Sequence, residues 1–581
     1  MPLQTIPAEA VECPPSVTFE TIEFSDGTSI ELLPNDIVVF VGPNNAGKSA
    51  ALRDLDDLVI NGGSSNIPKI VIKSATLRRA GTLADVEKFL EANCKVTGSA
   101  PHRQFHWLGS AVFEAHLLQM WQGNLSTLGR FFCHLIRTET RISDGNLAPS
   151  QSFLNQPPNH PIHLLYLDEC LEEKLSNHFQ NAFGRELLVF RMGGAHIPLL
   201  IGQKPSFQPG EDRLSPRYLE RLHEQNTPLD TQGDGMRSFT TVILRTLAPT
   251  MTSLVLLDEP EAFLHPPQAR LLGELLAKER PANRQLFIAT HSPDVLQGLL
   301  NAAPANLRII RLQRDRGVNL VRELDKGLVK RISTDSIMRF SSVLSGVFHK
   351  RVIICESDSD CMLYSTILDI PSVHGVESPD VLFVQANGKH RLAMLAETLR
   401  ALDVTVDVIA DIDVLNDLTV LKRLVASLGG DWNLIEPHAK AVKASIETAV
   451  TWLDAKEVTK RIQEILRTPQ EAGAFSTKLR EEIFGILGKS SPWSVVKSAG
   501  ETAIAQGDAT KHYQELRNMC NSVGLWIVPV GEAEGFCKSE GGHGPSWVQN
   551  VLEKYNVAES AELAGVRDFV QRIWERGRVG S

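Results

Sequence analysis

The residues whose types and spacing suit chemistry fall in two groups. The first is Gly42-Pro-Asn44-Asn45-Ala-Gly47-Lys48-Ser49, which satisfies GxxxxGK[ST] between the apolar run Asp36-Ile-Val-Val-Phe-Val41 and a candidate helix starting at Lys48. Backbone N–H groups of such a loop, with a helix N-terminus behind them, cradle phosphates because aligned dipoles favour anions. Lys48 then reaches the outer phosphates of ATP, and the Ser49 hydroxyl ligates Mg²⁺. A second apolar run, Leu254-Val-Leu-Leu257, delivers Asp258 towards the same cation, with Glu259 where a base can polarise an attacking water. His291, in Ile288-Ala-Thr-His-Ser292, ends a further run and is placed to sense the terminal phosphate.

The second group is acidic. Arg351-Val-Ile-Ile-Cys-Glu356-Ser-Asp358-Ser-Asp360 carries carboxylates just past an apolar run, and Val406-Asp-Val-Ile-Ala-Asp411-Ile-Asp413 repeats the arrangement. A parallel sheet aims such residues into one crevice at its carboxyl edge. Side chains at i and i+2 of a strand share a face, so Asp411 and Asp413 are expected to point together. Clustered carboxylates repel one another unless cations neutralise them, which suits one or two Mg²⁺ or Mn²⁺ ions. Two such ions can activate a water and stabilise the leaving 3′ oxygen of a phosphodiester. After the run Leu525-Trp-Ile-Val-Pro-Val530 come Glu532 and Glu534, one of which is a candidate to complete a second metal site. Lys538 is a candidate to stabilise developing phosphate charge. Lys389, in Asn387-Gly-Lys389, reads equally as a phosphate ligand and as a solvated loop lysine, and His543 lies in a glycine-rich turn.

The elements that must position these residues alternate as in an α/β fold. Val17–Phe24 and Thr28–Leu33 read as strands joined by the hairpin signal Asp26-Gly27. Leu254–Leu257, Pro267–Lys278 and Gln285–Ala289 read as strand, helix, strand. Leu307–Leu312 and Val318–Val321 read as a closing hairpin. Residues 80–145 read as mostly helical and 148–161 as a loop. We expect an α/β chain of two domains: 1–345, a P-loop ATPase with a helical insertion at roughly 80–160, and 346–581, a second α/β unit with a helical insertion at roughly 420–520.

Composition excludes little. The net charge of −10 gives no global attraction to nucleic acid, and the local basic stretch with Lys330, Arg331, Arg339, Lys350 and Arg351 reads more readily as a solvated face than as a phosphate track. No apolar run approaches the ~20 residues that span a bilayer. The start, Met1-Pro-Leu-Gln-Thr, carries no signal-peptide pattern, and the eight scattered cysteines form no CxxC pair. The expectation is a cytoplasmic chain with free thiols and no membrane contact.

The phosphate loop, Asp258-Glu-Pro-Glu261 with Leu264-His-Pro266, and Thr290-His-Ser-Pro293 resemble the ABC-type ATPases of the SMC and RecF families. There two heads sandwich nucleotide, and a signature serine and glycine of one head cap the other's terminal phosphate. The counterpart is Gln232-Gly-Asp-Gly235-Met-Arg-Ser238, which departs from the LSGGQ wording, so Gly235 and Ser238 are the implied capping residues. Glu356 with Asp360, then Asp411-Ile-Asp413, resemble the TOPRIM pattern. The two together resemble the OLD (overcoming lysogenization defect) nucleases, which include the Gabija nuclease subunit and retron-associated nucleases. That resemblance implies an ATP-regulated, metal-dependent DNA endonuclease or nickase serving in anti-phage defence, dimeric or larger, with a partner defence protein possible and tRNA an open alternative to DNA. It implies metal binding by Glu356, Asp360, Asp411, Asp413 and Glu534; the glycine usual after the glutamate is absent, which leaves Asp358 open beside Asp360. Two other classes fit parts of the chain: an ATPase scaffold that holds and releases a partner, and a RecF-like repair ATPase.

Overall fold

The computed structural model describes residues 14–62, 68–107, 110–144, 147–153, 156–158, 160–247, 251–302, 305–315, 317–325, 327–328, 334, 343–376, 378–449, 455–467, 476–488 and 492–579. Lys330, Arg331 and Arg339 of the basic stretch lie outside them. The chain divides into two units, Met1–Ser336 and Ile337–Ser581.

The first unit is built on β1 (Ile37–Val41), buried at every position as a strand covered on both faces must be. It runs into α1 (Lys48–Asn61). Then come β2 (Cys133–Ile136), α2 (Thr138–Asp144), α3 (Asp234–Leu247), β3 (Leu254–Asp258), α4 (Pro266–Lys278), β4 (Gln285–Ala289), α5 (Pro293–Ala302), β5 (Leu307–Asp315) and β6 (Val318–Glu323). The sheet order is β6-β5-β1-β4-β3-β2, parallel except for the β5–β6 hairpin. The carboxyl ends of β1, β4 and β3 therefore emerge along one edge, and with them the glycine loop, His291 and Asp258. Ser16–Phe24 pairs antiparallel with Ser29–Glu31, as expected, and also with Ile72–Ala80.

Residues 80–145 are less helical than their sequence reads. Helix Leu83–Asn93 is present, but a three-stranded antiparallel sheet of Lys95–Thr97, Gln104–Trp107 and Ser110–Phe113 follows it. Ser110–Phe113 is strand where Ala111–Leu118 reads as helix, and Cys133–Ile136 is the edge strand of the main sheet. Apolar runs of four residues are too short for periodicity to separate strand from helix. The expected loop also holds a short strand, Leu147–Pro149, paired with His196–Gly202.

The second unit has β7 (Arg351–Cys355), α6 (Asp358–Leu368), β8 (Val381–Gln385), α7 (Lys389–Ala401), β9 (Thr405–Ala410), α8 (Pro492–Ala499), β10 (Leu525–Ile527), α9 (Gly544–Lys554) and α10 (Ala564–Val579). Its sheet runs β8-β7-β9-β10, all parallel, so the ends of β7, β9 and β10 share an edge. The helices Leu418–Ser427, Trp432–Ala449, Ala455–Arg467, Thr477–Gly488, α8 and Asp508–Val523 intervene between β9 and β10. Beneath the sheet Asp407 is fully buried. It accepts from Arg351 Nε at 2.6 Å, Trp526 Nε1 at 2.8 Å and Arg576 at 2.9 Å. Arg351 is thus a buried structural residue. Among the described residues no helix is long and apolar enough to cross a membrane.

Candidate functional site

At the first edge the glycine loop is fixed by backbone geometry. Gly42 has φ 142°, and a Cβ there would stand 2.0 Å from the Leu312 carbonyl oxygen. Gly47, at φ 93°, precedes α1 without any side-chain cap, which leaves the first N–H groups of that helix available to an anion. Asn44 and Asn45 are exposed at the loop tip. Lys48 is buried, and its Nζ donates to the Gly42 and Pro43 carbonyls at 2.7 and 2.8 Å, bonds a phosphate oxygen can replace. The Ser49 hydroxyl donates to Asp258 Oδ1 at 2.8 Å, joining the two residues expected to share Mg²⁺. Burial pushes the Asp258 carboxyl up, which a cation would reverse.

Glu259 sits just past β3 at φ 44°, with Oε1 3.5 Å from His291 Nε2. Burial, and then the Lys48 charge, push His291 down to about 4, so at neutral pH its imidazole is uncharged and can donate a single hydrogen bond. Glu261, which the sequence motif includes without a role, organises this turn. Its Oε1 accepts from the Thr290 hydroxyl at 2.8 Å and from the His291 N–H at 2.7 Å.

The two implied capping residues lie at the start of α3. Ser238 is fully buried within its own chain, and its hydroxyl donates to the Ala262 carbonyl at 3.3 Å. Gly235 is half-buried in the first turn of α3, where a Cβ would lie 2.6 Å from the Phe263 carbonyl oxygen. Close packing already accounts for that glycine.

At the second edge Glu356, Asp411 and Asp413 each offer a carboxylate oxygen within 4.8 Å of the others. Ligands opposite each other across a small divalent ion stand about 4.2 Å apart, so a slight contraction would enclose one. The predicted reason for this meeting is wrong, although the meeting is real. β9 stops at Ala410; Asp411 is extended at the N-cap and Asp413 lies in the first turn of the 3₁₀ segment Ile412–Asn416. Glu356 Oε1 accepts from the Asp411 N–H at 3.0 Å. Lys389, at the start of α7, pairs with Asp413 Oδ2 at 2.9 Å, while Asp413 Oδ1 is buried and bonded to nothing. Burial, with Asp413's charge, pushes Glu356 up to about 6; burial, with Glu356's charge, pushes Asp411 up to about 8. All-oxygen donors, mutual repulsion and one bare carboxylate oxygen fit a hard divalent cation.

Asp360 caps its own helix, accepting from the Ser357 N–H at 2.9 Å. Burial pushes its carboxyl up and the charge of Glu534 adds to the shift, whereas Asp358 is exposed. The geometry thus favours Asp360 over Asp358. Glu532, Glu534 and His543 form a second group within 4.8 Å, so both glutamates belong to it. Glu534 Oε1 also accepts from the Gly544 N–H at 2.9 Å, at the start of α9.

Lys497, on α8, carries no motif and escapes a sequence reading. Its Nζ lies 3.2 Å from Asp411 Oδ2 and 3.3 Å from Glu532 Oε2, bridging the two acidic groups. Burial works against its charge, but Asp411 and Glu532 outweigh it and hold the ammonium well above its usual range. Lys538 is exposed, and among the described residues no hydrogen bond or ion pair joins it to the acids. The only advance signal for Lys497 is a lone lysine on an amphipathic helix.

A P-loop ATPase fold followed by a sheet that gathers carboxylates at its edge defines a two-domain class. Residues 37–297 match the family described as "AAA domain, putative AbiEii toxin, Type IV TA system", and residues 347–413 match "Overcoming lysogenization defect protein-like, TOPRIM domain". The chain thus carries an AAA-type ATPase domain followed by an OLD-like TOPRIM domain. It is 22% identical over 271 residues to the Old nuclease of Escherichia phage P2, covering 42% of this chain and 45% of that protein. It is 29% identical over 169 residues to the OLD nuclease of Thermus scotoductus (strain ATCC 700910 / SA-01), covering 28% and 31%. The chain thus spans less than half the length of the curated relatives it matches. Among solved structures, an SMC head bound to the C-winged helix domain of ScpA is 12% identical, covers 53% of this chain and 97% of its own, and has a TM-score of 0.32.

Proposed function

We propose that the protein is an ATP-regulated, divalent-metal-dependent DNA endonuclease or nickase, acting as a homodimer or larger assembly in anti-phage defence. The observation that carries the nuclease reading is the convergence of half-buried Glu356, Asp411 and Asp413, two of them held above the ordinary carboxylate range. Acids kept in that state suit cation binding better than a structural role. The OLD-family resemblance supports the substrate, the assembly and the defence role.

Mg²⁺ or Mn²⁺, when bound, supplies an activated water and charge stabilisation at the leaving oxygen. Glu356, Asp411 and Asp413 would hold one ion; Glu532 and Glu534, with Asp360 behind them, would hold another. Lys389 fixes Asp413, and the Glu356 carboxylate fixes the Asp411 backbone. Lys497 brings positive charge between the two groups, where charge builds on a phosphodiester under attack. In the ATPase domain Lys48 and the free end of α1 hold phosphates, Asp258 and Ser49 the cation, and Glu259 a water. Uncharged His291 offers a hydrogen bond at the terminal phosphate without adding charge.

The test incubates the protein with plasmid, linear DNA and tRNA, with and without Mg²⁺, Mn²⁺ and ATP. Metal-dependent cleavage of DNA is expected. Asp411→Ala with Asp413→Ala should lose it by about 100-fold or more while ATP turnover stays within about twofold. Undiminished cleavage by that double variant would remove the site assignment, and cleavage of tRNA alone would redirect the substrate.

A further inference from the structure

Arg141 lies on α2, which follows the edge strand β2, and none of the sequence motifs includes it. Its side chain is fully buried, yet Nε and both terminal nitrogens of the guanidinium have no hydrogen-bond partner. An arginine offers five N–H donors, and burying a charge with its donors unspent is costly unless a partner arrives. The charges that act on it are Glu261, Asp258 and Glu259, the acids of the ATP site. Two of these are engaged elsewhere: Asp258 with Ser49, and Glu261 Oε1 with Thr290 and His291. Glu261 Oε2 is itself buried and bonded to nothing. Donors and acids thus stand close together without closing on one another.

The helix is tied to the ATP site at one end and to α3 at the other. The Thr138 hydroxyl donates to the Asp258 carbonyl at 3.3 Å, just where β3 hands over to Glu259. Arg237 of α3 donates to the Ile142 carbonyl at 3.2 Å. Arg141 is therefore held in place by its helix while its own donors stay open. The acceptor that enters beside Asp258 and Glu259 during the ATPase cycle is the terminal phosphate of the nucleotide, and a guanidinium fork suits phosphate oxygens.

We propose that Arg141 binds the terminal phosphate of the nucleotide from within the same chain, and so makes the site distinguish a nucleoside triphosphate from a diphosphate. The proposal rests on the reading of this edge as an ATP site. It accounts for a buried arginine whose guanidinium donors are left open by the rest of the fold.

The experiment compares wild type with Arg141→Met and Arg141→Lys. Thermal unfolding is followed without nucleotide, and fluorescent ADP and a non-hydrolysable ATP analogue are titrated with Mg²⁺. Arg141→Met should unfold at the same temperature as wild type or higher, because an unpaired buried charge is gone. Its affinity for the ATP analogue should fall about 10-fold or more, and that for ADP should stay within about twofold. Arg141→Lys, which keeps the charge and loses the fork, should fall between the two. Arg141→Met that unfolds at a lower temperature, with an unchanged ratio of the two affinities, would make Arg141 a structural residue and overturn the proposal. If Arg141→Met does not fold, the ratio in Arg141→Lys decides in the same way. Wild type that binds neither nucleotide would overturn the ATP-site reading itself, a result distinct from an unchanged ratio.

Discussion

Asp411 shows how one residue can report on its own purpose. Burial and the nearby Glu356 push its carboxyl up to about 8, and Glu356 itself to about 6. Both are raised on folding, so between the ordinary carboxylate range and about pH 8 the folded state binds more protons than the unfolded chain. Stability of the cation-free protein must therefore fall as pH rises through that window. In EDTA, Asp411→Asn should melt about 2–4 °C above wild type at pH 8, the shift expected for ~1 kcal/mol in a unit of this size. The gap should close near pH 5, where the wild-type carboxyl is protonated, and again when Mg²⁺ or Mn²⁺ is added. Lys497 keeps Glu532 as a partner in that variant, so the loss of Asp411 charge does not strand it. A wild-type melting temperature flat from pH 5 to pH 8 in EDTA would show that the acids do not strain the fold.

Elements hold these residues through contacts that the motifs do not mention. Asp407 joins β7 through Arg351, β10 through Trp526 and α10 through Arg576, all from one buried carboxylate on β9. Asp407→Ala leaves a buried Arg351 without its counter-charge, which costs about 3–5 kcal/mol and should lower the melting temperature of the second unit by about 10 °C. Arg351→Met combined with Asp407→Leu should recover most of that loss, because a buried pair replaced by apolar side chains is close to neutral; no recovery would mean that the hydrogen bonds of Asp407 to Trp526 and Arg576 matter more than its charge. The strands that end in acids were legible, because runs such as Val-Ile-Ile-Cys and Leu-Val-Leu-Leu admit few readings beside a glycine loop or a carboxylate. Asp411 and Asp413 were legible as a pair but not as a turn, since a strand and the first residues beyond it look alike in sequence. Lys497 and Arg141 were illegible: each acts from a helix whose sequence satisfies only helix formation, and the acids whose charge it feels lie far off in sequence, Asp411 86 positions from Lys497 and Asp258 117 from Arg141. The edge strand β2 was hidden for a related reason, being four residues long and recruited by pairing with β3 rather than by its own pattern.

At the scale of the whole molecule the question is whether the two sites answer to each other. One gathers phosphates with Lys48 and a helix end; the other gathers cations with acids, in a chain of net charge −10. Nucleic acid has no general attraction to such a surface, so DNA binding should depend on a change that nucleotide produces. If nucleotide alters the affinity for DNA, linkage requires DNA to alter the affinity for nucleotide by the same factor. That equality is a stricter test of gating than a change in cleavage rate, because rates need not be reciprocal. The Asp411→Ala, Asp413→Ala double variant, which should not cut, allows both equilibria to be measured on intact DNA. DNA affinity would be determined with and without a non-hydrolysable ATP analogue, and analogue affinity with and without DNA, at one salt concentration. We expect matching factors of about fivefold or more, and none in a variant that also carries Lys48→Ala. Two affinities indifferent to one another would end the proposal that ATP regulates cleavage through DNA binding, and would leave the ATPase and the nuclease as independent sites on one chain.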